Sequence, residues 1–148
     1  MSKIGPPVGS NCNLTGWATK HFTEENLTRT DVAKILIADD IEGVRRMLTQ
    51  ALEDEHRIIQ AINGLEAVRL AQAENPDIVI LDLDMPIMDG VEATRQIKHF
   101  SSHIKVVAMT GQHSSENARL VKEICDAFLE KPFRVAELRE AIRSLHIQ

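Results

Sequence analysis

The chain has almost no cysteine, no excess of basic charge and no long apolar run, and each lack removes a class of function. Cys12 and Cys125 are its only cysteines, one in a glycine- and asparagine-rich segment and one in a late apolar stretch. That placement builds neither a disulfide framework nor a cysteine metal site, so two free thiols are expected. The 17 basic and 22 acidic side chains leave a formal charge of -5. A nucleic acid or other polyanion as partner calls for the opposite balance. No stretch approaches the roughly 20 apolar residues of a membrane span, and the N-terminus lacks the apolar core of a secretory signal. A cytoplasmic protein without a membrane partner is expected. What is present is 148 residues, 43% of them hydrophobic, enough for one domain with a real core.

Near residue 33 the composition changes. Before it, "MSKIGPPVGSNCNLTG" is rich in Gly, Pro, Ser and Asn, and the following stretch offers only Trp17, Phe22 and Leu27 as large apolar residues. So few apolar groups cannot offset the entropy of ordering the chain. Residues 1–33 therefore read as a flexible N-terminal extension, with Trp17 and Phe22 as the groups able to dock, and residues 34–148 as the folded domain. There the apolar runs "KILIAD", "RIIQAI", "DIVILDL", "KVVAMT" and "DAFLEK" alternate with the helically spaced "EGVRRMLTQALEDE", "LEAVRLAQAEN", "VEATRQIKHF", "SENARLVKEIC" and "VAELREAIRSL". The runs lack the in–out alternation of a half-exposed strand, as parallel strands covered on both faces do. Alternating strand and helix units predict an α/β fold, a doubly wound five-stranded parallel sheet with five helices.

Such sheets bind ligands at the carboxyl ends of their strands. Four of the five predicted strands deliver a useful group there: Asp39 and Asp40 end the first, Asp82 the third, Thr110 the fourth and Lys131 the fifth. Singly each is an ordinary turn or surface residue, and their common position is the signal. Carboxylates about 4 Å apart repel by roughly 4 kcal/mol per pair at an effective dielectric near 20, so the cluster needs a cation or shifted pKa values. An oxygen-only ligand set suits Mg²⁺, with Mn²⁺ as the alternative, and Mg²⁺ readily takes a phosphate oxygen as a further ligand. Lys131 is a point charge for a carboxylate or phosphoryl oxygen, and Thr110 offers a hydroxyl donor. Those are the parts of phosphoryl transfer, with Asp82 as the natural nucleophile because a carboxylate needs no general base.

In this order and spacing the acidic pair Asp39-Asp40, the "DLDMPIMDG" segment, "MTG" and "KPF" resemble the receiver domain of two-component response regulators, over residues 34 to 147. The resemblance implies a flavodoxin-like strand order 2-1-3-4-5. It implies that Asp82 accepts a phosphoryl group from a sensor histidine kinase or a histidine phosphotransfer protein. Mg²⁺ would be held by Asp40, Asp82 and the backbone carbonyl of Asp84, with Asp39 at or just behind these ligands. Thr110 and Lys131 would contact the phosphoryl group, the Lys131-Pro132 bond would be cis, and Thr110 would couple to Phe128 to change the face of helix four, strand five and helix five. A kinase would dock around helix one, near Ile41, Glu42 and Arg45. Because the last helix ends the chain, a stand-alone receiver is expected, acting on a downstream protein target in chemotaxis, a phosphorelay or a phosphate sink.

Other residues receive plainer roles. Asp84 would face the pocket mouth, where it could tune hydrolysis; Gln112 either orients water there or is a solvated loop residue, and Asp89 would cap the third helix. Gly111 and Ile124 depart from the family's usual Ala and Gly, the latter depriving the turn after helix four of a left-handed residue. His99 and His103 lack further ligands for a metal, and Arg134, Arg139 and Arg143 lie among acidic neighbours on a solvated face. Two alternatives remain: a haloacid-dehalogenase-like phosphatase in which "DLD" supplies Asp82 as nucleophile and Asp84 as acid/base, and a receiver-shaped binding module that does not use phosphate.

Overall fold

The computed structural model describes residues 32–112 and 115–145. Nearly all of the expected extension, with Cys12, Trp17 and Phe22, lies outside the described residues. Ala33, assigned to it from composition, is buried. Its N–H donates to His56 Nδ1 at 2.9 Å and its carbonyl accepts from the Arg57 N–H, so Ala33 belongs to the folded domain.

Five strands and five helices alternate: β1 (Lys34–Ala38), α1 (Glu42–Leu52), β2 (Arg57–Ala61), α2 (Gly64–Glu74), β3 (Ile78–Asp82), α3 (Gly90–Phe100), β4 (Lys105–Thr110), α4 (Glu116–Lys122), β5 (Ala127–Glu130) and α5 (Val135–Arg143). The strands form one sheet in the order β2-β1-β3-β4-β5, every neighbouring pair parallel. The expected topology is the one observed.

The sheet is covered on both faces because its side chains alternate between two cores. Val79 and Leu81 of β3 join Leu36, Val106 and Ala108 beneath α2, α3 and α4, which contribute Val68, Ile97 and Val121. Ile78 and Ile80 turn the other way and meet Ile35, Ile37 and Met109 beneath α1 and α5, through Leu48, Leu52, Leu138 and Ile142. This two-sided burial explains the uninterrupted apolar runs. Among the described residues no helix is long and apolar enough to cross a membrane.

The helix ends follow from their polar residues. Asn63, Asp89 and Ser115 precede α2, α3 and α4, and each side chain accepts the backbone N–H three residues on. Asp89 thus has the capping role expected of it. Asn75 closes α2 in the left-handed region at φ 49°, and Pro76 prevents continuation. The turn after α4 needs no such residue: Ile124 and Cys125 both donate to the Val121 carbonyl, and Asn75 and Ile87 are the non-glycine residues with positive φ among those described. Right-handed turns therefore close this helix, and Ile124 fits without strain.

Two glycines fix the loop that follows β3. A Cβ on Gly90 would collide with the Asp82 carbonyl and Leu83 Cα, and one on Gly64 with the Met88 carbonyl. The N-termini of α2 and α3 thereby grip residues 83–89 from two sides. Inside the loop the Met88 N–H donates to the Pro86 carbonyl at 2.8 Å, closing a γ-turn with Ile87 at φ 73°, a conformation a β-branched residue takes up only under strain.

Candidate functional site

Strand register brings the polar ends to one level. Asp82 pairs with Met109 across β3–β4, and Thr110 with Glu130 across β4–β5, one residue before Lys131. On the other side Ala38, one residue before Asp39, lies opposite Leu81. Four strand ends that parallel pairing holds side by side thus form one acidic edge with a lysine at its rim.

Asp39, Asp40 and Asp82 each bring one carboxylate oxygen within 4.8 Å of the others. Asp39 and Asp82 are buried and Asp40 is exposed, so the group opens to solvent on the side of Asp40. Lys131 Nζ lies 3.3 Å from Asp39 Oδ2 and 3.2 Å from Asp82 Oδ1, one ammonium between two buried carboxylates. The remaining Asp39 oxygen accepts the Ile41 N–H at 2.9 Å, which ties this aspartate to the entry of α1. Asp82 Oδ2 has no protein partner among the described residues.

The electrostatics follow from that arrangement. Burial pushes the Asp82 carboxyl up to about 6; Lys131 opposes the rise, and the neighbouring Asp39 charge adds to it. Burial alone would lower Lys131, but Asp82 and then Asp39 outweigh it and hold its pKa above the ordinary value. One lysine cannot balance three carboxylates. The donor set is all oxygen, with no histidine or thiol in it, and it is partly open to water, which fits a hard divalent cation that retains water ligands.

The other expected residues are placed as follows. Thr110 is buried; its hydroxyl accepts the Gln112 N–H at 3.0 Å and keeps its own proton for donation. The Thr110 carbonyl accepts the Lys131 N–H at 2.8 Å, joining the two residues through backbone, and the Lys131-Pro132 bond is cis. Asp84 is exposed and its carboxylate stands outside the three-oxygen group. Phe128 is half-buried against the core beneath α2, α3 and α4, and Lys122 Nζ sits 4.8 Å from its ring centre. His99 and His103 join no metal-binding group among the described residues. His99 instead lines a shallow cavity of about 460 Å³ with Gln72, Arg95, Gln96 and Phe100, on the C-terminal halves of α2 and α3 and so at the opposite edge of the sheet from the carboxylates.

Two contacts escaped the sequence reading. Arg45 Nη1 donates to the Asp39 carbonyl at 2.6 Å, and Lys122 stacks on the Phe128 ring. The one needs an arginine that folds back along its own helix, and the other a helix end placed over a strand. Neither has a signature in local spacing.

A family model for the response regulator receiver domain matches residues 35–143. The chemotaxis protein CheY of Halobacterium salinarum is 37% identical over 111 residues, 74% of this chain and 92% of that protein. Sporulation initiation phosphotransferase F of Bacillus subtilis is 36% identical over 112 residues, 74% of this chain and 90% of that protein. Among solved structures, a response regulator receiver domain protein from Clostridium thermocellum superposes with a TM-score of 0.71 at 32% identity, covering 76% of this chain and 93% of that one. CheY in the CheX-CheY-BeF3-Mg complex from Borrelia burgdorferi does so with a TM-score of 0.70 at 28% identity, covering 78% and 90%. The phosphatase alternative, which needs Asp84 beside Asp82, finds support neither here nor in the exposed position of Asp84. The family model covers all of the sheet but its first residue, together with the acidic edge, and the chain belongs to the receiver domain family of two-component response regulators.

Proposed function

We propose that Asp82 is the phosphoacceptor, that it takes its phosphoryl group from a phosphohistidine on a sensor histidine kinase or histidine phosphotransfer protein, and that the α4–β5–α5 face carries the signal to a downstream protein target. The observation that carries this reading is the Asp82 carboxylate itself. It is buried at the end of β3, one oxygen is on Lys131, and the other has no protein partner among the described residues. That second oxygen is the nucleophile. It attacks phosphorus in line, the P–N bond breaks, and its electron pair leaves with an imidazole whose other nitrogen carries a proton, giving an acyl phosphate and neutral histidine.

The remaining residues hold the charge that moves. Lys131 turns from the Asp82 oxygen to a phosphoryl oxygen without leaving Asp39, and the Thr110 hydroxyl donates to another equatorial oxygen. Asp39, Asp40, Asp82 and the Asp84 carbonyl would hold Mg²⁺, or Mn²⁺ in its place, which would supply the positive charge that the three carboxylates lack. Drawn toward the phosphoryl group, Thr110 vacates space beside β5, and Phe128 turns inward from beneath Lys122. Asp84 and Gln112 stand at the mouth of the site, where they set how readily water attacks phosphorus and returns Asp82 to its free state.

Intact mass of the purified chain with Mg²⁺ and acetyl phosphate tests the assignment. One phosphoryl adduct is expected, absent with EDTA and absent in Asp82→Asn. An adduct that survives Asp82→Asn would place the acceptor elsewhere, and steady phosphate release without any adduct in a rapid-quench series would argue for turnover instead of storage.

A further inference from the structure

Asp40 is the exposed member of the acidic group and makes no hydrogen bond or ion pair among the described residues. Its side chain has nothing to aim it, so its direction is inherited from the backbone. The peptide that sets that direction is the one joining Asp39 to Asp40, and its oxygen accepts from Arg45 Nη1 at 2.6 Å. Arg45 is half-buried, and its Nε donates to Gln60 Oε1 at 3.2 Å. Gln60 Nε2 in turn donates to Thr49 Oγ1 at 3.1 Å, back on α1. The guanidinium forms no ion pair among the described residues although three carboxylates share its end of the sheet. It is committed to two neutral oxygens, one on the turn after β1 and one on β2.

We propose that Arg45 is a positioning residue for the cation site: it locks the plane of the Asp39–Asp40 peptide and thereby holds the Asp40 carboxylate where a divalent cation is bound. The inference rests on the cation reading given above and deepens it. Arg45 touches neither ion nor phosphoryl group. It works through a charge-assisted hydrogen bond, stronger than a neutral one, and Gln60 fixes the guanidinium so that the bond has one geometry. Removing groups of this kind, which stand behind a ligand, typically costs about 10–100-fold in metal affinity.

The proposal has a direction opposite to that of simple electrostatics. Arg45 places a positive charge near a cation site, so by Coulomb's law alone its removal should tighten cation binding. If positioning dominates, removal weakens binding. The test titrates the full unphosphorylated chain with Mn²⁺ and follows the free-ion signal by electron paramagnetic resonance, with thermal unfolding in EDTA recorded beside it. Arg45→Ala is expected to weaken Mn²⁺ binding about tenfold while the melting curve in EDTA moves little. Gln60→Ala, which leaves the charge and removes only the group that steadies it, is expected to weaken binding measurably but by less than Arg45→Ala does. Wild-type or tighter affinity in Arg45→Ala overturns the proposal. Should that variant fail to fold, Gln60→Ala decides in its place, and wild-type affinity there counts against it. Failure of the wild type to bind Mn²⁺ at all would instead sink the cation reading from which the proposal starts.

Discussion

At the scale of the single residue, Asp82 carries a cost that its chemistry requires. Its carboxyl titrates near 6 against an ordinary 3.8, first because it is buried. A carboxyl raised in the folded state favours folding fully below the ordinary value, and that contribution is lost as pH rises through the folded one. In EDTA, Asp82→Asn should therefore be more stable than the wild type at pH 8, by up to about 3 kcal/mol, and the two should converge below about pH 4. Urea denaturation of both chains at pH 8 and pH 4 reads this directly, and equal midpoints at pH 8 would show the buried charge to be fully compensated without a cation. That Asp39, Asp40, Asp82, Thr110 and Lys131 stand together at the strand ends was readable in the sequence because strand ends announce themselves through adjoining apolar runs. The division of labour between Asp39 and Asp40 came only from the family resemblance, not from the residues themselves. Which of two consecutive aspartates turns inward depends on the direction of the backbone as it leaves β1. Ile87 was unreadable for another reason: a β-branched residue argues against positive φ, and only the squeeze of α2 and α3 on its loop imposes it.

At the scale of the element, two glycines in helices give opposite expectations. A Cβ on Gly43 in α1 meets nothing within 4 Å, so Gly43→Ala should stabilise by about 0.5–1 kcal/mol through helix propensity alone. Gly64 at the start of α2 lies against the Met88 carbonyl. Gly64→Ala should cost about 1–3 kcal/mol as the loop after β3 gives way. Since that loop carries Asp84, the same change should also slow phosphoryl uptake from acetyl phosphate, measured as the initial rate of adduct formation by mass spectrometry. An unchanged rate would show that the loop relaxes at Met88 without moving the site. The physical reason for a glycine there, the approach of a loop more than twenty positions away, is tertiary and has no local trace. Helix α4 is likewise shorter than its apolar spacing suggested, since its end is closed by bonds to Val121 before the apolar Ile124 and Cys125 are reached.

At the scale of the whole molecule, the fold was the most readable feature. Five buried runs alternating with five amphipathic ones admit few solutions once parallel strands must be covered on both sides. The site follows because the ends of neighbouring parallel strands lie side by side. A cation that binds this edge only in the folded chain must raise the melting temperature by mass action. Mg²⁺ in excess should shift the wild-type transition upward, and Asp40→Asn should lose most of that shift while keeping its melting temperature in EDTA. Equal shifts in both would place the ion away from Asp40.

The strand order also decides what lies at the two borders of the sheet. They are β2 and β5, five and four residues long, and they carry Arg57, Gln60 and Glu130 as exposed side chains. A border strand that is short and studded with polar groups is a poor template for another chain. The same arrangement that gathers the aspartates in the middle of the sheet thus leaves its margins resistant to strand-by-strand growth.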